Sequence, residues 1–120
     1  GKGLFADVTM IPTAVMMGVA RQGNKSVNGD IVDTVKALEE RKQISLDPAA
    51  WLPAFEDAAS FLQEEHAGPS TRYTNAGIMR FRVEARMKNL VTLAERLGLP
   101  VRETKAYAPL AQKAGLAQTA

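Results

Sequence analysis

Apolar residues recur at helical spacing along most of the chain, and the longest such pattern lies in its second half. There, a run of apolar side chains repeats every three or four residues: Met79, Val83, Met87, Leu90, Ala94 and Leu97. This spacing places them on one face of a helix, which Phe81, Val91 and Leu93 are predicted to widen. The pattern predicts a long helix with one buried face, ended by Gly98 because glycine favours the left-handed C-terminal conformation.

Four further helices are predicted from the same kind of spacing, and no strand is. In chain order the predicted helices cover 4–21, about 30–42, about 53–65, about 76–97 and about 102–114. The first is apolar nearly all round, which predicts a buried, central position. Pro12 either kinks this helix or starts it, and Ser26 or Asn28 is expected to cap the second. The fold class predicted is all-α, as a single compact bundle of about five helices with a buried first helix and a long fourth one.

Prolines set the expected boundaries of the third and fifth helices. Asp47 is a good N-cap and Pro48 suits the first helical position. Pro53 is expected to break a straight helix, which predicts a short turn followed by a helix from 53. Its inner stripe is expected to be Trp51, Phe55, Ala58 and Leu62. The fifth helix is expected to be interrupted near Pro109.

The chain fits one helical domain covering residues 1–120, with a frayed tail at 116–120. Its opening residues, GKGLFADV, carry no initiator methionine and suggest either a tag remnant or a fragment or domain of a longer protein. The apolar run 4–20 is short and contains polar residues and a proline, which favours a core helix over a membrane span. No membrane association is therefore expected.

Composition excludes several chemistries. The 120 residues carry a net charge of +2, which is too small an excess to indicate a nucleic-acid partner by itself. There is no cysteine, so thiolate catalysis, disulfides and cysteine-ligated metals are excluded. The single histidine excludes a metal site that needs two imidazoles. The lack of cysteine fits a reducing compartment, and we expect a cytoplasmic location.

A cluster of positive charges precedes and opens the fourth predicted helix: Arg72, Arg80, Arg82, Arg86 and Lys88. Glu84 is the one acid among them and could pair with Arg80 or Lys88 one turn away. In one interpretation the cluster is a solvated helix face. In the other it is an anion-binding surface for phosphate, carboxylate or nucleic acid, with Arg72, Arg80, Arg82 and Arg86 as its ligands.

Catalytic and metal-binding residues are not identifiable from the sequence. His66 is expected to interact with the C-terminal end of the third helix. Glu64, Glu65 and His66 are adjacent and point in different directions on a helix, so no metal site is predicted. The methionines lie on predicted core faces, where they fill irregular gaps or line an apolar pocket: Met10, Met16, Met17, Met79 and Met87.

The phrases FRVEARMKNL, LAERLGLPV and ETKAY follow one another between Phe81 and Tyr107. In this order they resemble the C-terminal helical domain of the 3-hydroxyisobutyrate dehydrogenase and 6-phosphogluconate dehydrogenase superfamily over residues 81–115. The resemblance implies a domain that contributes to a substrate pocket and a dimer interface. It also implies that Lys88 lies near a dinucleotide cofactor and that Asn89 orients it.

The chain departs from that family at several functional positions. The family's catalytic lysine would fall on Asp7, its asparagine on Ile11, and its lysine–aspartate pair on Lys88 and Asn89. No glycine-rich dinucleotide fingerprint is present. The resemblance therefore implies a domain that is inactive alone and holds no cofactor, with NAD or NADP bound only by a separate dinucleotide-binding domain.

Two other function classes stay open from the sequence. The chain could be a stand-alone helical interaction module that dimerises through its apolar surplus. It could also be a helical domain that binds anions or nucleic acid through the cluster at 72–88. The expected partner is a second copy of the chain or another domain of the same parent protein.

Overall fold

The computed structural model describes residues 8–22, 29–68 and 76–116. Within these ranges every regular element is helical, which confirms the predicted all-α class. The α-helices are Ile11–Gln22 (α1), Asp30–Glu40 (α2), Pro48–Ala67 (α3), Ala76–Arg96 (α4) and Tyr107–Lys113 (α5). Short 3₁₀ turns precede α1 at Val8–Met10 and follow α4 at Val101–Glu103.

The centre of the fold is formed by α1, α3 and α4, which pack against one another, while α5 covers one side of α4. The predicted inner stripe of α3 is confirmed, because Trp51, Phe55, Ala58 and Leu62 are all buried. The second helix, α2, contributes only Val32 and Val35 to the buried core. Consequently α2 is the most peripheral of the longer helices.

The start of α3 follows the sequence prediction, but its predicted interruption is wrong. Asp47 caps the helix by accepting a hydrogen bond from the backbone N–H of Ala49 at 3.0 Å. The helix then continues through Pro53 without a break. Pro53 lies on the exposed face, where water can replace the hydrogen bond that its ring removes. The buried residues Trp51 and Phe55 hold this part of the helix against the core.

The other two prolines of interest lie in the first turns of helices, where a missing N–H costs little. Pro12 is the second residue of α1, so it starts this helix rather than kinking it. The fifth helix was expected from 102 with an interruption near Pro109, and this was wrong. It begins at Tyr107, so Pro109 falls in its first turn and the preceding residues form a separate 3₁₀ turn.

The apolar face of α4 is largely as predicted. Seven side chains of α4 and of the residue that follows it are buried: Val83, Met87, Leu90, Val91, Leu93, Ala94 and Leu97. Phe81 was expected to widen this face and is instead 70% exposed. It precedes Leu90 by nine residues, about two and a half helical turns, and therefore lies on the opposite face. The side chain of Met79 lies outside the described part of the chain.

The end of α4 is set by Gly98, which has a φ of +78°. The N–H of Gly98 donates to the carbonyl of Glu95 at 3.0 Å, and that of Leu99 donates to the carbonyl of Ala94 at 3.1 Å. This pair of hydrogen bonds is a Schellman motif, which requires a left-handed residue and favours glycine. The predicted stop at Gly98 is thus confirmed.

The first helix is less buried than its composition predicted. Met16, Val19 and Ala20 are buried on the side that faces α3 and α4. Thr13 and Ala14 are exposed, and Met10, which was expected in the core, is 56% exposed. α1 therefore has one covered side and one open side.

Two other expectations concern the ends of helices and of the chain. The caps proposed for the second helix, Ser26 and Asn28, lie outside the described residues, and Gly29 holds the N-cap position of α2. In the predicted frayed tail, Leu116 packs against the core, while 117–120 lie outside the described residues.

In the described ranges, no helix combines the length and the apolar character needed to cross a membrane.

Candidate functional site

An apolar groove of about 310 Å³ runs between α1 and α2. Its walls consist mainly of aliphatic side chains and small residues: Ile11, Ala14, Val15, Gly18, Val19, Ile31, Val35 and Leu38. This volume lies at the lower end of the range found for small-molecule sites, which runs from about 300 to 1,000 Å³. A mostly apolar concavity with a few polar groups is the usual composition of such sites.

The groove exists because small residues occupy the open side of α1. Ala14 and Gly18 are one turn apart, so they lie on the same helix face. A β-carbon built at Gly18 would meet no atom within 4 Å, which shows that the space beside it is empty. On the other wall, Ile31 and Leu38 are only partly buried because α2 turns Val32 and Val35 toward the core.

Three polar side chains line the groove besides its aliphatic walls: Gln22, Asp30 and Thr34. Asp30 and Thr34 are one turn apart on α2 and so share a face. Asp30 is the one charged side chain among the described residues that line the groove. The groove can therefore bind apolar groups and form hydrogen bonds along part of its margin.

Two further clefts have different linings. A cleft of about 440 Å³ between α3 and the start of α5 includes Glu56, Gln63 and Lys105 in its walls. A cleft of about 320 Å³ lies at the end of α4 and includes Glu95, Arg102 and Glu103. Charged side chains in these walls keep their hydration, so neither cleft offers the continuous apolar surface of the groove.

Arg86, predicted as an anion ligand, points into the junction of α1, α3 and α4. Its Nη1 donates to the carbonyl oxygen of Ala20 at 2.8 Å, and its Nη2 donates to Oε1 of Glu65 at 2.8 Å. Its side chain is 15% exposed, against 39% for Glu65. A carbonyl near the end of α1 has no partner within its own helix, so Arg86 ties that end to α3.

Glu84 does not follow its predicted pairing with Arg80 or Lys88. Its Oε2 lies 2.7 Å from Nε2 of His66, and the carboxylate accepts the imidazole N–H. His66 was expected just past the end of the third helix and instead stands in the last turn of α3. Its contact with α4 was not foreseen. The two residues are 18 positions apart, so only the packing of α3 on α4 brings them together.

Arg82 and Lys88, two described members of the predicted basic cluster, do not converge on one point. Arg80, Arg82 and Lys88 are exposed, and Arg72 lies outside the described residues. Successive residues of a helix advance by about 100°, so Arg82 and Lys88 point about 120° apart and lie about 9 Å apart along the axis. A small anion could contact both side chains at once only if these side chains curved around the helix toward each other. Anion binding by the cluster stays a prediction.

Lys88 and Asn89, the residues implied in cofactor binding, are adjacent on α4. Lys88 is exposed and Asn89 is half-buried. Neither residue lines the groove between α1 and α2. Their side chains differ in direction by about 100°, so Lys88 is free to reach a bound group while Asn89 faces the edge of the core.

Metal binding and nucleophilic catalysis each need ionisable side chains in a particular geometry. In the described part of the chain, no three histidine or acidic side chains lie close enough to hold a metal ion. The His66–Glu84 pair carries a base and an orienting carboxylate, but no described serine or threonine is hydrogen-bonded to that imidazole. The groove is lined by aliphatic side chains with Gln22, Asp30 and Thr34 at its margin, a lining suited to apolar contact and hydrogen bonding.

The groove was missed by the sequence interpretation. Two local signals were available: the small pair Ala14 and Gly18 within an otherwise apolar helix, and the clear amphipathic pattern of α2. Neither signal shows that the two helices leave a gap, because that depends on how far α2 stands from α1 in the folded chain.

No protein-family model, curated protein or solved structure matches this chain. The resemblance of residues 81–115 to a dehydrogenase domain therefore rests on the sequence motifs alone.

Proposed function

We propose that this chain is a non-catalytic helical binding domain whose ligand enters the groove between α1 and α2. The observation that carries the proposal is the continuous apolar surface of that groove, with a volume of about 310 Å³. Burying a methylene group there stabilises a complex by about 0.8 kcal/mol, so an apolar ligand gains affinity with each carbon that it places in the groove.

The neighbouring helices give the groove a stable base. Val19 and Val35 line it and are also buried in the core, so its floor is fixed by packing. Its walls lie on two helices rather than on loops.

The proposal can be tested with n-octanol, an uncharged molecule with an apolar chain. We expect it to shift amide resonances of α1 and α2 in a saturable titration monitored by heteronuclear NMR. Gly18→Leu should weaken its binding by roughly tenfold or more, because the new side chain occupies space equal to several methylene groups, each worth about fourfold in affinity. The helix should form well, since leucine is a better helix former than glycine.

Ala85→Leu provides the matched control. It also adds an apolar side chain to a helix, but Ala85 is exposed on α4 and lies outside the groove. Octanol binding should match that of the unmodified chain. Equal binding by the Gly18→Leu protein, with its helical circular dichroism unchanged, would remove the groove as the binding site.

A second candidate is the helical domain of a hydroxyacid-dehydrogenase-like oxidoreductase. The specific observation in its favour is the ordered succession of α4, the Schellman turn at Gly98, Pro100 and α5, with Lys88 exposed on α4. In this role the chain would contribute to a substrate pocket and a dimer interface in the cytoplasm, and a separate domain would bind NAD or NADP. A parent reading frame that encodes a glycine-rich dinucleotide fingerprint would support this candidate, and one without it would count against it.

A further inference from the structure

The polar groups of the groove indicate which class of ligand it binds, an inference that rests on the proposed function. We infer that the groove binds an amphiphile with an apolar chain and a cationic head group, and that the head group lies beside Asp30. The inference depends on the position of the polar residues, on the charges that face Asp30, and on the room available for a chain.

The groove is polar at one end and apolar at the other. Gln22 is the last residue of α1 and Asp30 the first of α2, whereas Ile11 and Leu38 lie near the far ends of the two helices. Helices joined by a connection as short as residues 23–29 ordinarily run antiparallel, which puts Gln22 and Asp30 at the same end. A ligand with one polar and one apolar end matches this arrangement.

Among the described residues that line the groove, the one charged side chain is acidic. It is Asp30, which stands in the first turn of α2. The helix N-terminus carries the equivalent of about half a positive charge, which the carboxylate of Asp30 exceeds. Arg21, at the end of α1, lies over the ring of Phe61 at 5.6 Å and is thus directed toward α3. A cationic head group is therefore favoured over an anionic one.

The size of the groove limits the length of the ligand's alkyl chain. A cavity of about 150 Å³ holds one benzene ring, so a groove of 310 Å³ has room for an alkyl chain of about eight carbons. A chain of this length is long enough to extend from the polar end toward Ile11 and Leu38. Octyl compounds are accordingly suitable probes.

The test compares three probes that each carry an eight-carbon chain: n-octylammonium, n-octanol and n-octanoate. Each is titrated into the protein at low ionic strength and monitored by NMR. An exposed pair of charges changes affinity by up to about fivefold in either direction. Octylammonium should therefore bind about five- to twentyfold more tightly than octanoate, with octanol between them. In the Asp30→Asn protein the ratio of octylammonium to octanoate affinity should fall below about threefold.

Asp57→Asn is the matched control, because Asp57 is exposed on α3 and does not line the groove; it should preserve the full ratio. Equal affinities for the three probes, all weakened by Gly18→Leu, would overturn the head-group inference and leave the groove as a binding site. A ratio unaffected by Asp30→Asn would also overturn it. Affinities that do not respond to Gly18→Leu would instead contradict the proposed function.

Discussion

Replacing Leu90 with alanine is expected to lower the free energy of unfolding by about 2–5 kcal/mol, the usual cost of truncating a buried leucine. Leu90 is fully buried on α4, which packs against α1, α3 and α5. Its neighbours in the helix, Met87 and Val91, are also fully buried, so little room exists for the surroundings to close on the cavity. Urea unfolding monitored by circular dichroism measures this change.

Lys88→Ala is the control for Leu90→Ala in the same helix. Lys88 is exposed, and lysine and alanine are both good helix formers, so the stability should change by less than about 0.5 kcal/mol. A loss below about 1 kcal/mol for Leu90→Ala would show that α4 does not place this residue in the core.

Arg86→Gln is expected to lower the free energy of unfolding by about 1–3 kcal/mol, while Arg82→Gln leaves it nearly unchanged. Charge-assisted hydrogen bonds of the kind that Arg86 makes to Ala20 and Glu65 stabilise a protein by about 1.5–3 kcal/mol each. The exposure of Glu65 reduces its share, because solvent screens the pair. Arg82 is exposed, and no described acid forms an ion pair with it.

Glutamine suits this comparison because its helix propensity is close to that of arginine. Thermal unfolding followed by circular dichroism gives both values under the same conditions. If the two variants are equally stable, the contacts of Arg86 contribute nothing beyond those of a solvated arginine. In that case the junction of α1, α3 and α4 is held by apolar packing alone.

Local features were predictable from the sequence. Asp47 caps α3, and Gly98 ends α4, because capping and left-handed geometry depend on neighbouring residues only. The buried stripe of α4 through Val83, Met87 and Leu90 follows from spacing alone. Phe81 was assigned to the buried face because it is apolar, without regard to its angle on the helix. Its exposure was therefore not predicted.

Features that depend on packing between helices were not predictable. Pro53 remains inside α3 because buried neighbours hold the helix in place, which local propensity does not describe. Glu84 contacts His66 rather than Arg80 because α3 passes beside α4 at that point. To predict such contacts, the relative position of two helices must be known, and the sequence contains no direct signal for that position.

The candidate site illustrates the same limit. The cluster at 72–88 was recognised by charge, yet helix geometry directs Arg82 and Lys88 to different sides, and Arg86 points into the junction of α1, α3 and α4. The groove depends on small residues such as Gly18, which carry no chemical group to attract notice. An empty space between helices is visible only once both helices are placed.

Intermolecular nuclear Overhauser effects can show whether an apolar alkyl chain binds in the groove between α1 and α2. With ¹³C-labelled protein and unlabelled n-octanol, we expect contacts from the alkyl protons to the methyl groups of Ala14, Val15 and Ile31. No contacts are expected to Val101, which lines the cleft at the end of α4. Contacts confined to exposed side chains such as Phe81, or none at saturating octanol, would contradict binding in the groove.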